Sequence, residues 1–300
     1  MSRVERLSPL VGLTIMIVSE AATLAHVEPF WSWNTPIAWT GFIIFADSVV
    51  WRARHDSWMR SAPREFACLA LVSILLWLVF EGYNRIIANW YYTGLPENAL
   101  LRYFGYAWSF ATIWPALFEG AELIAVWRGS GRFGGSGKSG GSGQSGGTGR
   151  LGAPDRPDLA DRPAVISIAA GAVMLACPFF VPPATARFLA APVWLGFILL
   201  LDPINARLGG ESLFADLRAR RSDRLVNLAL SGVLCGLLWE FWNYWSRAKW
   251  HYTVPIMEQL KLFEMPIPGY LGFPAFACEC FTMYVFVRLA FTKLGRTIAL

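Results

Sequence analysis

Apolar runs of roughly one bilayer's length alternate along this chain with short polar, Arg-rich or aromatic segments. A helix needs roughly 20 mostly apolar residues to cross a membrane. That ruler marks eight segments, at about 8–28, 33–51, 66–88, 103–127, 163–183, 188–204, 225–245 and 269–291. The second and sixth are short or carry polar ends. The first has no small-residue cleavage site after it and reads as a retained helix. The pattern predicts an all-α integral membrane helical bundle with eight transmembrane helices.

Composition agrees. Hydrophobic residues make up 55% of the chain and charged ones only 16%, against about 25% charged in soluble domains. The 15 Trp suit two membrane–water interfaces or an aromatic-lined cavity. A net charge of +5 could suggest nucleic acid. The basic residues, however, fall in alternate loops. With the N-terminus inside, 19 of the 26 Lys and Arg lie on the inner side and 6 on the outer. Such a bias fits the positive-inside rule, with both termini cytoplasmic, and no nucleic-acid partner is expected. The five cysteines all lie in apolar runs, so no disulfide framework is expected.

The segment 129–162 is rich in Gly and Ser and reads as a cytoplasmic linker. Its Gly137-Lys138-Ser139 resembles the end of a phosphate loop, but Arg132 stands where that motif needs Gly. The linker separates residues 1–128 from 163–300, and the two halves match. Trp39-Thr40-Gly41-Phe42-Ile43, Asp47 and Ser57 correspond to Trp194-Leu195-Gly196-Phe197-Ile198, Asp202 and Ser212. Glu81-x-x-Asn84 corresponds to Glu240-x-x-Asn243; Trp90, Tyr92 and Thr93 to Trp250, Tyr252 and Thr253; Glu119 to Glu279. Four spans is an even number, so the expected architecture is two parallel four-helix repeats about an axis along the membrane normal.

Acids inside spans cost energy and mark candidate sites. Glu20, Glu119, Glu122 and Glu279 fall deep in their spans, and Glu81 and Glu240 about one turn below the outer surface. Glu119, Glu279, Glu81 and Glu240 are the candidate catalytic carboxyls. Asn84 and Asn243 share a helix face with Glu81 and Glu240 and are candidates to orient the acid or a substrate. Pro115 and Pro274 lie close before Glu119 and Glu279, where a proline can open a helix. The bland alternative for all these groups is hydrogen bonding that fixes the bundle. Asp47 and Asp202, at cytoplasmic span ends, read as caps or contacts to the basic inner loops. The outer loops carrying Trp90, Tyr92, Trp250 and Tyr252 read as an interfacial aromatic belt or as a lid over a cavity. The stretch from Met257 to Met265 reads as amphipathic and able to lie on the membrane surface. Three scattered histidines and no Glu-x-x-His pair give no metal site, and no cofactor motif is present.

Trp239-Glu240-Phe241-Trp242-Asn243-Tyr244-Trp245, Phe263-Glu264-Met265-Pro266 and Gly269-Tyr270-Leu271-Gly272-Phe273-Pro274 resemble a family of uncharacterised bacterial polytopic membrane proteins. The resemblance covers both halves and implies the bacterial inner membrane, but no activity. Pro115 with Glu119 and Pro274 with Glu279 loosely resemble the proline–glutamate–glutamate pattern of membrane-embedded lycopene cyclases, with Cys280 standing in place of the paired acid in the second copy here. Two functions of different class follow. One is binding or modification of a lipid or isoprenoid at a carboxylate and aromatic site, with membrane lipids as partners. The other is proton- or cation-coupled transport. A structural subunit of a membrane complex is the third reading, and the oligomeric state is left open.

Overall fold

The computed structural model describes residues 3–131 and 161–293, with side chains from residue 9 onward. Residues 132–160, most of the expected linker and its Gly137-Lys138-Ser139, lie outside the described residues.

Eight long helices account for most of the described chain: α1 Arg3–Leu24, α2 Phe30–Arg54, α3 Pro63–Ile87, α4 Ala99–Trp127, α5 Arg162–Ala176, α6 Ala190–Arg207, α7 Asp223–Trp245 and α8 Gly272–Lys293. Each covers one of the apolar segments. Five helical stretches are long and apolar enough to cross a membrane: α3, α4, α7, α5 extended by a 3-10 turn to Phe179, and α8 with the preceding turn Ile267–Leu271. Five such stretches in one mainly helical chain are the mark of a multi-pass membrane protein. The apolar part of α1, Pro9–Leu24, is shorter. α2 and α6 fall short for a physical reason: both keep polar side chains that the protein itself covers. Asn34, Thr35, Asp47 and Ser48 of α2 are buried, as are Asp202 and Asn205 of α6. Large apolar side chains such as Leu71, Leu75, Ile166 and Val173 instead point outward. A lipid solvent favours this inverted distribution.

Two close helix crossings recur. α1 meets α2 at Gly12 and Gly41, and α5 meets α6 at Gly171 and Gly196. A Cβ on Gly12 would lie 2.5 Å from both Gly41 O and Phe45 N; one on Gly171 would lie 2.5 Å from Leu200 N and 2.6 Å from Gly196 O. Small residues at such crossings let backbones touch.

Asp47 and Asp202 act as the sequence suggests. Asp47 accepts from Met59 N at 3.0 Å and from Arg60 Nε at 3.2 Å. Asp202 accepts from Ser212 Oγ at 2.6 Å, Leu213 N at 2.8 Å and Phe214 N at 3.0 Å. Each carboxyl thus satisfies the start of the short helical turn that follows its helix, Trp58–Ser61 or Leu213–Arg218. Asp202→Ala strands two buried N–H groups and one hydroxyl. It is expected to cost about 2 kcal/mol, read as a lower thermal midpoint in detergent.

At the opposite end, β1 (Trp90–Thr93) and β2 (Lys249–Tyr252) pair antiparallel, Trp90 against Tyr252, Tyr91 against His251, Tyr92 against Trp250 and Thr93 against Lys249. The two aromatic loops are therefore one ribbon rather than separate belts. The stretch expected to lie flat on the membrane folds instead into a hairpin, β3 (Lys261–Leu262) against β4 (Met265–Pro266). Its turn holds Phe263 at φ 58° and aims Glu264 at the ribbon. The Glu264 carboxylate meets Lys249 Nζ at 3.3 Å and His251 Nδ1 at 2.9 Å. Ile256, Met257, Leu260 and Leu262 remain exposed, whereas Met265 turns inward and is buried.

Candidate functional site

Glu81 and Glu240 lie within two turns of the ends of α3 and α7, where the chain turns into the ribbon. Glu81 Oε1 accepts from Trp77 Nε1 at 2.9 Å, Trp90 Nε1 at 3.2 Å and Tyr92 Oη at 2.5 Å. Glu240 Oε1 accepts from Tyr252 Oη at 2.9 Å, and that hydroxyl in turn accepts from Trp250 Nε1 at 2.9 Å. Burial, then the neighbouring Glu81, pushes the Tyr92 phenol well above its ordinary range. Burial and Glu240 do the same to Tyr252.

Asn84 and Asn243 play a different part from the one their spacing suggests. Asn84 Nδ2 donates to Trp90 O at 2.8 Å, and its Oδ1 accepts from Trp90 N at 3.1 Å and Asn89 N at 2.9 Å. Asn243 Nδ2 donates to Trp250 O at 2.8 Å and its Oδ1 accepts from Trp250 N at 2.9 Å. Each amide imitates a strand neighbour and clamps the first residue of β1 or the second of β2. Neither residue lines the cavity described next.

Beneath the ribbon lies a cavity of about 120 Å³, measured as room for water-sized molecules. At about 10–15 Å³ per water in that measure, it can take a headgroup or a short length of chain. Trp90, Tyr92, Trp250 and Tyr252 roof it. Its walls include Trp39 and Trp194, Phe80 and Trp239, with Trp77 and Phe276. The indoles form a continuous surface: Trp77 lies 6.1 Å from Trp90 and 5.8 Å from Trp239, which lies 5.8 Å from Trp39 and 5.5 Å from Trp250. The deep wall, with Trp39, Phe80, Phe273 and Met265, is buried, whereas Ser32, Trp33, Leu95, Pro96, Arg102 and Lys249 are only partly covered. The mouth thus lies at the ribbon end, between the starts of α2 and α4. There α2 breaks at Trp33 (φ −124°, ψ 28°), three residues before Pro36, whose ring displaces the Ser32 carbonyl from the helix ladder.

The expected proline openings at the other acids do not form. α4 runs unbroken through Pro115, and Pro274 sits in the first turn of α8, where its missing N–H costs nothing. Glu119 and Glu279 are buried in the bundle and neither lines the cavity. Glu122 is paired with Arg54 at 2.6 Å, near the end of α2. Glu20 accepts from Asn34 Nδ2 at 3.0 Å, and the same amide donates to Trp242 O at 3.2 Å, tying α1, α2 and α7 together.

Of the ten candidate residues, four therefore line the cavity (Trp90, Tyr92, Trp250, Tyr252) and two stand directly behind its rings (Glu81, Glu240). Asn84 and Asn243 hold the roof, and Glu119 and Glu279 stand apart. Sequence reasoning passed over Trp39, Trp194, Phe80, Trp239, Trp77 and Phe276. A signal for the first four existed, since Trp39 with Trp194 and Phe80 with Trp239 occupy corresponding places in the two halves.

No protein-family model matches this chain, nor does any curated protein or solved structure.

Proposed function

We propose that this protein is an eight-span membrane protein, built as two parallel four-helix repeats, that binds a lipid or isoprenoid in the aromatic cavity under its ribbon. The observation that carries the reading is the cavity wall. More than half of its lining residues are aromatic, and the polar hydrogens of five of those rings are taken up by carboxyl or hydroxyl oxygens. Such a wall offers an apolar or polarisable ligand a large contact area.

The duplication is supported by three pairs of matched contacts: the glycine crossings, the aspartate caps and the asparagine clamps. The ribbon register adds to them. Tyr91 pairs with His251, the residue 160 places on, and Trp90 and Tyr92 pair crosswise with Tyr252 and Trp250. A register of this kind is what a two-fold axis through the central pair, perpendicular to the ribbon, would give, and it supports one joint site rather than one per repeat. The loop charges support cytoplasmic termini, which sets the mouth at the outer face of a bacterial inner membrane.

Binding is favoured over acid catalysis. Glu119 and Glu279 stand away from the cavity. Of the hydroxyls that line it, the phenols of Tyr92 and Tyr252 are bonded to Glu81 and Glu240, and burial makes them poor acids. The test is mass spectrometry of lipids that co-purify with the protein. One lipid or isoprenoid class should be enriched over the bulk membrane, and Trp77→Ala with Trp239→Ala should remove the enrichment while the protein stays folded. An unenriched lipid profile in the wild type would sink the reading.

One observation favours the transport alternative. Glu279 is fully buried, and neither of its carboxyl oxygens has a hydrogen-bond partner among the described residues. A carboxyl that loads and releases a proton suits such a place. That reading requires pH-dependent flux in proteoliposomes that disappears in Glu279→Gln.

A further inference from the structure

Five of the cavity's rings, Trp77, Trp90, Tyr92, Trp250 and Tyr252, have their polar hydrogens tied to oxygen partners. Trp77, Trp90 and Tyr92 all donate to one oxygen of Glu81, and Trp250 donates through the Tyr252 hydroxyl to Glu240. The two carboxyl groups lie outside the wall. Among the described residues, no Arg or Lys pairs with either. An acid side chain at the edge of a ring draws the positive edge towards itself and leaves the negative π face to the other side. With the Glu81 carboxylate behind the wall, in surroundings of low dielectric, the interior favours positive charge.

Two cations stand at the mouth. Lys249 is engaged by Glu264 and by Tyr244 O. Arg102 stands at the rim over the Tyr103 ring. The interior offers the hydroxyls of Ser32, Thr35 and Ser109 as acceptors, but most of its wall is aromatic faces. A primary ammonium, with three N–H groups to satisfy, fits such a wall poorly. A cation with no N–H does not have that difficulty, and aromatic cages are the usual receptors for it.

Resting on the lipid-binding reading above, we propose that the buried end of the ligand is a quaternary ammonium group, its chain leaving through the mouth between α2 and α4. The cavity volume suits a trimethylammonium head with the first part of its chain, and the exposed Leu100, Leu101 and Phe104 beside the mouth suit the rest.

The test uses the full chain in nanodiscs, with empty nanodiscs as the control for partition into lipid. Quenching of tryptophan fluorescence is titrated with decyltrimethylammonium and with its uncharged isostere 2,2-dimethyldodecane. The cation should bind at least about tenfold tighter, in line with a desolvated cation–π contact. In a Glu81→Gln, Glu240→Gln double variant the gap should shrink to below about threefold. Glutamine keeps the acceptor oxygens, so the rings stay in place. Equal binding of both probes to the wild type overturns the ammonium proposal and leaves the apolar cavity standing. Binding of neither probe, to protein with an intact thermal transition, overturns the lipid-binding reading as well. A gap that survives the double variant removes the carboxylates from the explanation and overturns the proposal in this form. The wild-type comparison stands by itself should the double variant fail to fold.

Discussion

Asn243→Ala is expected to destabilise the protein by about 2–4 kcal/mol and to abolish ligand binding at temperatures where the helices remain folded. Asn243 is fully buried, and its amide makes both backbone hydrogen bonds of Trp250 that β1 does not reach. Alanine leaves one N–H and one C=O without partners in a buried place, and each such loss costs about 1–3 kcal/mol. Aspartate does not rescue the site. It can accept from Trp250 N, but it then sets a second oxygen against Trp250 O. The same change at Asn84 should cost less, because Asn84 is only partly buried. The measurement is a pair of thermal midpoints in detergent beside the fluorescence titration. If Asn243→Ala loses binding and stability while Glu240→Gln keeps its thermal midpoint, the amide is a clamp and the carboxyl is part of the site. An Asn243→Ala protein that melts like the wild type would remove the clamp from the account.

That contrast also shows where the sequence was legible. The helices were, because each apolar segment is bounded by Pro, Gly or charged residues, and lipid allows few alternatives to a helix. Position along a helix was legible too: Glu81 and Glu240 stand within two turns of the ends of α3 and α7, as counting residues implies. Rotation about the helix axis was not. Glu119 and Glu279 share the depth of possible site residues, but they point into the packed bundle. The ribbon was hidden for another reason. Its two strands are four residues each and about 160 residues apart, so no local alternation announces the pairing. The role of Asn84 and Asn243 follows from that pairing and could not precede it. Trp77 and Phe276 look like core in any apolar run, and only the fold turns them towards a cavity. The carboxyls behind the wall were found for a reason that was only half right. They were singled out as acids within apolar spans, and in the structure they accept from the cavity's rings rather than line the cavity.

Gly171→Val and Gly12→Val should each cost about 3 kcal/mol or more, and the two should behave alike. At both positions the obstacle is backbone of the neighbouring helix, which cannot move aside as a side chain can. The first carbon of any side chain therefore pushes the helices apart. Gly82 supplies the control. It lies on an open face of α3 with nothing within 4 Å of a built Cβ, so Gly82→Ala should be neutral or gain about 0.5–1 kcal/mol from helix propensity. The crossings also bear on the site. Trp39 stands two residues before Gly41, and Trp194 two before Gly196, which is about 200° around a helix at 3.6 residues per turn. The glycine face of α2 or α6 presses on α1 or α5, and the opposite face carries the tryptophan into the cavity. Separating the helices at the glycines should therefore withdraw both cavity tryptophans. Ligand affinity should then fall in each valine variant by more than it does in a Trp39→Phe protein of wild-type stability. Similar losses in both halves would tie the duplicated crossings to one shared cavity. A loss confined to one half would mean that only that repeat shapes the binding wall.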